Sequence, residues 1–327
     1  MKKILLTGSN GFIGSALKAH LCTQFEVFGV DNRGHTGAGQ TDSGYDFTDV
    51  DSIKALCYQY RPDVVIHCAG IAHQKIGSVE SSEYFHVNSF ATETLAIAAS
   101  AVNTDVRFIF LSSISVYGEN GTQDPIREND QCFPSSDYAW SKLDAERRLR
   151  KLFSDGILKH VDILRLAPVY DSEWSLNLER RVFAPGKFAY VKFGDGNQKM
   201  SVLSRQNLAS FISHRLNQDE FLSKDASTNP ACTVFNVCDR NPSSFCDIIN
   251  VFRRSQHQPD RIQITVPLGF VWGLTQLAAL IFKNRRQWLH SCYDKLSYSL
   301  VFDNTQMLMT GFVPPHTLES VFLSGNR

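Results

Sequence analysis

Short apolar runs alternate with amphipathic stretches along the first half of the chain. The runs are rich in β-branched and aromatic residues, as buried strands are. The stretches between them repeat their apolar positions with the period of a helix. Strands that alternate with helices predict a parallel sheet with helices on both faces. The predicted strands are 3–7, 26–30, 64–68, 107–112 and 161–165, and the predicted helices are 13–23, 52–60, 82–101 and 138–153.

The periodic pattern loosens after residue 165. A strand is predicted over 233–238 and a helix over 243–254. With 327 residues the chain is long enough for one large core and a smaller lobe. We therefore expect an α/β fold with a doubly wound parallel sheet over 1–170, to which a strand and a helix near 202–254 return. A smaller, discontinuous lobe is expected over 171–327.

One segment near the C-terminal end is strongly apolar. Residues 266–282 (VPLGFVWGLTQLAALIF) number 17, whereas crossing a bilayer takes about 20 apolar residues. We therefore predict no membrane span here, but a helix buried between the lobes or at a subunit contact. Peripheral contact with a membrane surface through 266–286 is the alternative, with Lys283, Arg285 and Arg286 available for lipid head groups.

Composition and charge narrow the function classes. Hydrophobic residues make up 43% of the chain and charged residues 20%, as in ordinary globular proteins. Lysine plus arginine and aspartate plus glutamate both number 33, so the basic excess of a nucleic-acid-binding surface is missing and no nucleic acid partner is expected. The eight cysteines show no C-x-x-C spacing, and the first apolar run is too short for a signal peptide. We expect reduced thiols, no metal site and a cytoplasmic location.

A glycine-rich turn joins the first predicted strand to the first predicted helix. The sequence TGSNGFIG (7–14) spaces its glycines three residues apart. Gly8 permits the tight turn, Gly11 lets the backbone approach a pyrophosphate, and Gly14 lets the helix pack on the strand. The N–H groups at the start of the helix favour phosphate. The turn therefore predicts dinucleotide binding by Gly8, Asn10, Gly11, Phe12, Ile13 and Gly14.

Residues at the ends of the following strands complete the predicted cofactor site. Asp31 ends the second strand, where its carboxylate can accept hydrogen bonds from an adenosine ribose and repels a 2′-phosphate. This favours NAD, with NADP as the alternative because Arg33 can offset the repulsion. His67 fits a core histidine better than a catalytic base. The other residues assigned here are Asn32, Asp46 and Phe47, the last two on either side of the adenine, and the small residues Cys68, Ala69 and Gly70.

Three side chains have the spacing of a hydride-transfer site. Tyr138 and Lys142 are four residues apart on a predicted helix, so they share one face. A tyrosine with its ordinary pKa of about 10 is a poor base near neutrality, and a nearby cation favours the phenolate. Lys142 can lower the pKa of Tyr138 and hold ribose hydroxyls of the cofactor. Ser113 follows the fourth strand, at the edge where ligands bind open sheets, and can hydrogen-bond the reacting oxygen.

Taken together, these motifs resemble the extended short-chain dehydrogenase/reductase family, in particular its NAD-dependent nucleotide-sugar epimerases and dehydratases of the UDP-glucose 4-epimerase type. The resemblance covers nearly the whole chain. It implies a Rossmann domain followed by a substrate-binding lobe. The matching segments are TGSNGFIG (7–14), DN (31–32), HCAG (67–70), Asn88, SSISVYG (112–118), YAWSK (138–142), ILRLAPVYD (163–171), NLASF (207–211), VFNVCD (234–239) and GFVPPHTLES (311–320).

The resemblance also implies roles for further residues. Asn88 and Pro168 would join the cofactor site, and Asn177 and Lys199 are candidates for holding a nucleotide diphosphate in the C-terminal lobe. Tyr138 would act as acid and base on the C4 hydroxyl of the sugar while hydride passes between C4 and the nicotinamide. The substrate implied is a nucleotide sugar.

Three departures from the family pattern bear on the substrate. Asp171 stands where glycine is usual, and Lys199 where arginine is common. Lysine offers phosphate a point charge rather than a bidentate fork. A dehydratase usually carries an acidic pair where this chain has Ile114 and Ser115, which argues against dehydration.

Three functions stay open at this point. The leading hypothesis is an NAD-dependent 4-epimerase that works through a 4-keto sugar. The alternative is an NAD(P)H-dependent 4-keto reductase of a nucleotide deoxy-sugar for surface polysaccharide synthesis, which would share every catalytic residue. A non-catalytic, cofactor-sensing protein is the third hypothesis, disfavoured because Tyr138 and Lys142 are both present. By the resemblance, a homodimer through helices 82–101 and 138–153 is expected.

Overall fold

The computed structural model describes residues 1–32, 44–72, 79–118, 124–222, 230–255 and 261–323. The strands are β1 (Lys3–Thr7), β2 (Glu26–Asn32), β3 (Gly44–Tyr45), β4 (Val64–His67), β5 (Arg107–Ser113), β6 (His160–Leu166), β7 (Val169–Tyr170), β8 (Tyr190–Phe193), β9 (Lys199–Met200), β10 (Leu203–Ser204), β11 (Ala231–Val237), β12 (Ser243–Ser244) and β13 (Gln263–Val266).

The α-helices are α1 (Phe12–Leu21), α2 (Val50–Tyr60), α3 (Ser81–Phe85), α4 (Ala91–Val102), α5 (Asp137–Ser154), α6 (Leu176–Val182), α7 (Arg205–Leu222), α8 (Phe245–Arg254), α9 (Leu268–Ile281), α10 (Arg286–Ser297), α11 (Thr305–Met309) and α12 (Leu318–Leu323). A π-helical turn over His86–Phe90 joins α3 to α4. The predicted helix over 82–101 is therefore three successive segments.

The central sheet has the strand order β11-β6-β5-β4-β1-β2-β3 among the described residues. Neighbouring pairs from β6 to β3 are parallel. Backbone hydrogen bonds from Ala231 N to Lys159 O and from Ala167 N to Val237 O place β11 beside β6 in the same direction. The predicted α/β fold with a Rossmann-type parallel sheet is confirmed. Because β1 lies between β2 and β4, the strand order reverses at β1, and ligands bind such sheets at the carboxyl ends of the strands beside this reversal.

The core of the sheet explains why these strands form. All four residues of β4, and all but the first of β1, are buried, as expected of strands covered on both faces. On one face, Leu56 of α2, Leu95 of α4 and Leu149 of α5 pack with Phe108 of β5 in one apolar cluster. This packing holds the carboxyl ends of β1, β4 and β5 in register.

The chain divides into two compact units. The first comprises Met1–Gly118, Gln131–Leu166 and Ala209–Phe235, and the second Glu119–Asp130, Ala167–Leu208 and Asn236–Arg327. The N-terminal part of the first unit therefore ends at Leu166 rather than at 170. It excludes residues 119–130, which belong to the second unit. Strand β11, predicted near 233, joins the sheet, and most of helix α7 lies in the first unit, whereas the helix predicted over 243–254 lies in the second.

Helix α8 belongs to the second unit because of its own packing. Its Ile248 and Phe252 lie in an apolar cluster with Tyr170, Leu178 and Phe322. The helix begins two residues later than the predicted 243, since Ser244 forms a reciprocal capping box with Asp247. Leucine, phenylalanine and tyrosine side chains from distant parts of the chain therefore decide where this helix lies.

The apolar segment at 266–282 forms helix α9, and the prediction that it is buried between the lobes is wrong. Only Ala279 of this helix is buried. Large apolar side chains remain exposed along its length, because no described part of the chain covers them. Among the described residues, no helix is both long and apolar enough to cross a bilayer.

Candidate active site

The turn between β1 and α1 has a backbone that requires glycine at two positions. Gly8 has a φ of +68°, and a Cβ there would lie 2.8 Å from the backbone nitrogen of Ala69. A Cβ at Gly14 would lie only 2.0 Å from the carbonyl oxygen of Gly8. The amide of Gly11 closes the turn by donating to that same oxygen, at 3.1 Å. The turn is therefore pressed against both its own helix and the end of β4.

The start of α1 suits an anionic ligand. Its N-cap, Gly11, makes no side-chain hydrogen bond to the first turn, and the first turn contains no acidic residue. The N–H groups and the positive end of the helix dipole at such a terminus favour a phosphate. Asp31, at the end of β2, accepts a hydrogen bond from the amide of Asn10 at 2.8 Å. A glycine turn that leads into a helix N-terminus, beside a carboxylate at the next strand end, fits the diphosphate and ribose of a dinucleotide.

His67 is held as a neutral core residue at the end of β4. Burial, with a smaller contribution from Lys142, lowers its pKa to about 3. The hydroxyl of Thr92 donates to the carbonyl of Asn88 at 2.8 Å and so accepts from Nε2 of His67 at 2.9 Å. Nδ1 then accepts from the hydroxyl of Thr7 at 2.7 Å. With both ring nitrogens engaged in the core, His67 acts as a structural link rather than a base.

Small residues and an asparagine line the loop that follows β4. The hydroxyl of Thr7 accepts from the amide of Ala69 at 3.2 Å. Asn88, from the π-helical turn, holds Ile71, the residue after Gly70, through both of its backbone groups, at 2.8 and 3.0 Å. Burial raises the pKa of the Cys68 thiol, which stays protonated. The loop is thereby fixed by side chains behind it.

Ser113 and Tyr138 lie within hydrogen-bonding distance of each other. Ser113 ends β5 and caps the following turn, where its Oγ accepts from the amide of Ser115 at 3.2 Å and from its hydroxyl at 2.9 Å. Tyr138 lies in the first turn of α5, which is capped by the Ser136 side chain. Burial raises the pKa of Tyr138 and its hydrogen bond with Ser113 lowers it, while Tyr84 adds to the rise. A phenol and a serine hydroxyl that share a hydrogen bond can act on one substrate oxygen.

Lys142 lies one turn further along α5, with its ammonium buried. Its Nζ donates to the carbonyl oxygen of Leu111 at 3.0 Å and lies 4.7 Å from the ring centre of Phe110. Burial lowers the pKa of Lys142 to about 8. A lowering of the Tyr138 pKa by Lys142 stays a prediction.

A buried charge cluster behind Ser113 was not predicted from the sequence. Ser112 donates to Glu146 Oε1 at 2.5 Å, and Arg165 contacts both carboxylate oxygens, with Nη2 2.6 Å from Oε2. The guanidinium of Arg165 also covers the Tyr117 ring, 4.7 Å from its centre. Glu146 follows Lys142 by four residues, so α5 presents both to the end of β5. The i+4 continuation from Tyr138 through Lys142 was the available signal for Glu146.

Three further residues of the predicted cofactor site, on β2 and just after β3, differ in what their side chains or backbones contact. The side chain of Phe47 packs in the core of the first unit, only 5% exposed, so it is not offered to a ligand. Asp46 closes a turn by accepting from the amide of Thr48 at 2.8 Å. Asn32 pairs with Tyr45 at the end of β2. Arg33 lies outside the described residues.

The predicted substrate residues lie in the second unit. Asn177 is partly buried on α6, and Lys199 is exposed on β9. Pro168, which was predicted for the cofactor site, also lies in the second unit, where its carbonyl accepts from the amide of Leu203 at 3.1 Å. No described contact joins these three residues to one another.

The unusual Asp171 has a structural explanation. It is buried, accepts from the amides of Glu173 and Trp174 at 2.9 and 2.7 Å, and forms an ion pair with Arg205. Where the family pattern has glycine, this chain therefore has a turn closed by a paired carboxylate. The departure stabilises the turn after β7.

Comparisons with known proteins agree with this geometry. A family model described as the NAD dependent epimerase/dehydratase family matches residues 4–225. The chain is 29% identical to a UDP-glucose 4-epimerase of Vibrio cholerae, over 98% of this chain and 93% of that protein. It is 24% identical to an N-acetyl-alpha-D-glucosaminyl-diphospho-ditrans,octacis-undecaprenol 4-epimerase of Escherichia coli O157:H7, over 96% of this chain and 91% of that one. A UDP-glucose 4-epimerase structure from Brucella ovis in complex with NAD superposes with a TM-score of 0.73 at 18% identity, covering 98% of this chain and 96% of that one.

Proposed function

Since the chain belongs to the NAD-dependent epimerase/dehydratase family, we propose that it is an NAD-dependent 4-epimerase of a nucleotide sugar. The observation that carries the proposal is the hydrogen bond between Tyr138 and Ser113, with Lys142 one helical turn away, at the carboxyl end of β5. This acid–base pair lies in the same unit as the glycine turn. The match to a 4-epimerase over nearly its whole length supports the choice of reaction.

The residues of the first unit are suited to hold NAD. We assign the diphosphate to the backbone of the 7–14 turn, because the turn requires glycine at Gly8 and Gly14 and leads directly into the N-terminus of α1. Asp31 would bind the adenosine ribose. When bound, NAD supplies the group that removes hydride from the sugar C4 and returns it. The proposed cofactor residues of the first unit are Gly8, Asn10, Gly11, Phe12, Ile13, Gly14, Asp31, Asn32, Asp46, Cys68, Ala69, Gly70, Asn88, Tyr138 and Lys142.

The proton chemistry belongs to the side chains at the end of β5. Tyr138 would take the proton of the C4 hydroxyl as the 4-keto sugar forms and give it back when the opposite epimer forms. Ser113, already bonded to the phenol, would hold the same sugar oxygen. Because burial raises the pKa of Tyr138, the phenolate needs positive charge nearby. The ammonium of Lys142 is the cation that α5 brings to this region.

The diphosphate of the substrate is assigned to the second unit, with Asn177 and Lys199 as candidate contacts. The relative that acts on an undecaprenol-linked sugar shows that the carrier in this group of proteins need not be a nucleotide. We therefore choose a substrate panel of UDP-glucose, UDP-N-acetylglucosamine, UDP-glucuronic acid and a polyprenyl diphosphate sugar. We also propose a cytoplasmic location, which is supported by eight cysteines that form no disulfide with one another.

The decisive experiment uses the purified protein without added cofactor. We expect it to retain NAD and to interconvert a panel sugar with its C4 epimer, followed by proton NMR. Tyr138→Phe should lower turnover by about 10²- to 10⁴-fold, the usual contribution of general acid–base catalysis, while NAD still raises its melting temperature. Tyr58→Phe, at an exposed tyrosine far along α2, is the matched control and should leave turnover unchanged.

Each other outcome assigns a different function. Stoichiometric oxidation of NAD(P)H with a 4-keto sugar, and no epimerisation, would establish the reductase. Ligand-induced stabilisation with no turnover of any panel member would favour the cofactor-sensing protein. Unchanged turnover in Tyr138→Phe would overturn the catalytic assignment.

A further inference from the structure

Helix α9 presents its apolar side chains to solvent and its polar ones to the protein. Positions around a helix advance by about 100° per residue. Phe270, Leu274, Leu277 and Ile281 therefore fall within one narrow stripe, and all four are more than half exposed. Leu280 and Phe282 extend this surface at its C-terminal end. We call these six residues the α9 stripe.

The opposite face of α9 is the one that the protein covers. Trp272 packs there against α10, with ring centres 5.0 Å from Tyr293 and 5.7 Å from His290. Ala279, the one buried residue of α9, lies on the same side. The polar Thr275 and Gln276 are more covered than the leucines of the stripe. An ordinary surface helix has the reverse arrangement, so the α9 stripe is built to contact something apolar.

Charge beside the stripe identifies the contact. Lys283, Arg285 and Arg286 follow directly and are exposed, and none of them forms an ion pair within the described parts of the chain. Residues 261–300 contain five lysines or arginines and one acidic residue, although the whole chain has a net charge of zero. A local excess of +4 beside exposed leucine and phenylalanine matches the combination of acyl chains and anionic head groups at a bilayer surface.

The dimensions of the helix suit a surface rather than a span. Its 14 residues measure about 21 Å, less than the hydrocarbon thickness of about 30 Å. We infer that the α9 stripe docks the protein on an anionic phospholipid bilayer, with the helix lying in the interface and the basic cluster on the head groups. This inference does not depend on the proposed enzymatic activity.

The test is flotation of the full-length protein with lipid vesicles. Because the chain has no net charge near pH 7, attraction to an anionic vesicle has to come from a local patch. We expect the protein to bind vesicles of phosphatidylcholine with about one third phosphatidylglycerol, and to bind phosphatidylcholine alone more weakly. At high salt the two kinds of vesicle should bind the protein equally. Phe270→Ser, Leu274→Ser and Leu277→Ser combined should lower vesicle affinity at least about tenfold.

Two matched controls distinguish binding by the α9 stripe from nonspecific adsorption to vesicles. Phe188→Ser, Met309→Ser and Val313→Ser combined remove as many exposed apolar side chains elsewhere in the second unit, and should leave binding unchanged. Lys283→Glu with Arg286→Glu should abolish the preference for anionic lipid, whereas Lys54→Glu with Arg240→Glu should not. Every variant is first shown to be folded by its urea unfolding midpoint.

Two results would overturn the inference. The first is wild-type protein that stays unbound in every vesicle composition. The second is a dimer in sedimentation velocity that the stripe substitutions dissociate, without any vesicle binding, which would make α9 a contact between two copies of the chain.

Discussion

Lys142 holds an ammonium group inside the first unit, at a cost in stability that depends on pH. Burial lowers its pKa from 10.5 to about 8. Because the unfolded chain keeps the proton up to about pH 10.4, the charged group destabilises the folded state fully below pH 8. The penalty fades as the pH rises from 8 to 10.5, where the folded protein has released the proton and the unfolded chain has not.

We predict that Lys142→Met is more stable than the wild type at pH 7. Removing the buried charge gains about 3 kcal/mol, and losing its hydrogen bond to the Leu111 carbonyl costs about 1 kcal/mol. The net gain of about 2 kcal/mol should shrink toward pH 10 in urea unfolding of the cofactor-free proteins. Lys151→Met, at an exposed ion pair, should show no such gain. A Lys142→Met protein that is less stable at pH 7 would contradict this account.

Residues of the site differ in how far the sequence predicts them. Tyr138 and Lys142 are four positions apart, and the glycines of the turn are three positions apart. Such local spacing is kept in any fold that forms the helix and the turn. Glu146 and Arg165 are 19 positions apart and meet only because α5 packs across β5 and β6. Phe47 shows the opposite error, since a residue next to a predicted ligand turned out to belong to the core.

At the scale of elements, the Glu146–Arg165 pair ties α5 to the ends of β5 and β6. Both side chains are almost fully buried, and breaking one partner of such a pair leaves an uncompensated charge. We predict that Glu146→Gln lowers the free energy of unfolding by about 3–5 kcal/mol, measured by urea denaturation. Adding Arg165→Met should recover most of the loss. If the double variant is no more stable than Glu146→Gln, the loss comes from packing rather than from the orphaned guanidinium.

The glycines of α1 and α9 provide a second comparison between elements. Gly14→Ala should destabilise the protein by about 1–3 kcal/mol and abolish the rise in melting temperature with NAD, because its Cβ would meet the Gly8 carbonyl at 2.0 Å. Gly273→Ala, in the middle of α9 with open space around it, should stabilise the protein by about 0.5–1 kcal/mol. Equal effects of the two substitutions would show that helix propensity, not the close approach, governs Gly14.

Element length decides which parts of the fold the sequence predicts. The buried strands and the long helices of the first unit follow from periodicity. The two-residue strands β3, β7, β9, β10 and β12 are too short to have a period, and their pairing is set by the tertiary fold. The break of 82–101 into α3, a π-helical turn and α4 places Asn88 toward Ile71, and the prediction of one continuous helix did not include this local departure from the α-helical period.

At the scale of the whole molecule, connectivity is what the sequence conceals. The chain passes between the two units several times, both before and after the predicted boundary at residue 170. Helix α8 is strongly amphipathic, but an amphipathic pattern does not say which apolar surface a helix will cover. Its partners Tyr170 and Phe322 lie more than 60 residues away in either direction, so its assignment required the fold.

The exposed surface of the first unit also predicts that the protein forms dimers. Phe90 and Ile97, seven positions apart on the π-helical turn and α4, and Trp140 on α5 are all exposed by more than 40%, on the two helices through which the family resemblance implies dimers. We predict a homodimer in sedimentation equilibrium, and a monomer for Phe90→Asp with Ile97→Asp. Val50→Asp with Tyr58→Asp, at exposed apolar positions on α2, should remain dimeric.

Because the helices of this contact lie in the first unit and α9 in the second, the monomeric variant should still bind anionic vesicles. Loss of both properties together would mean that vesicle binding depends on two copies of α9 acting at once.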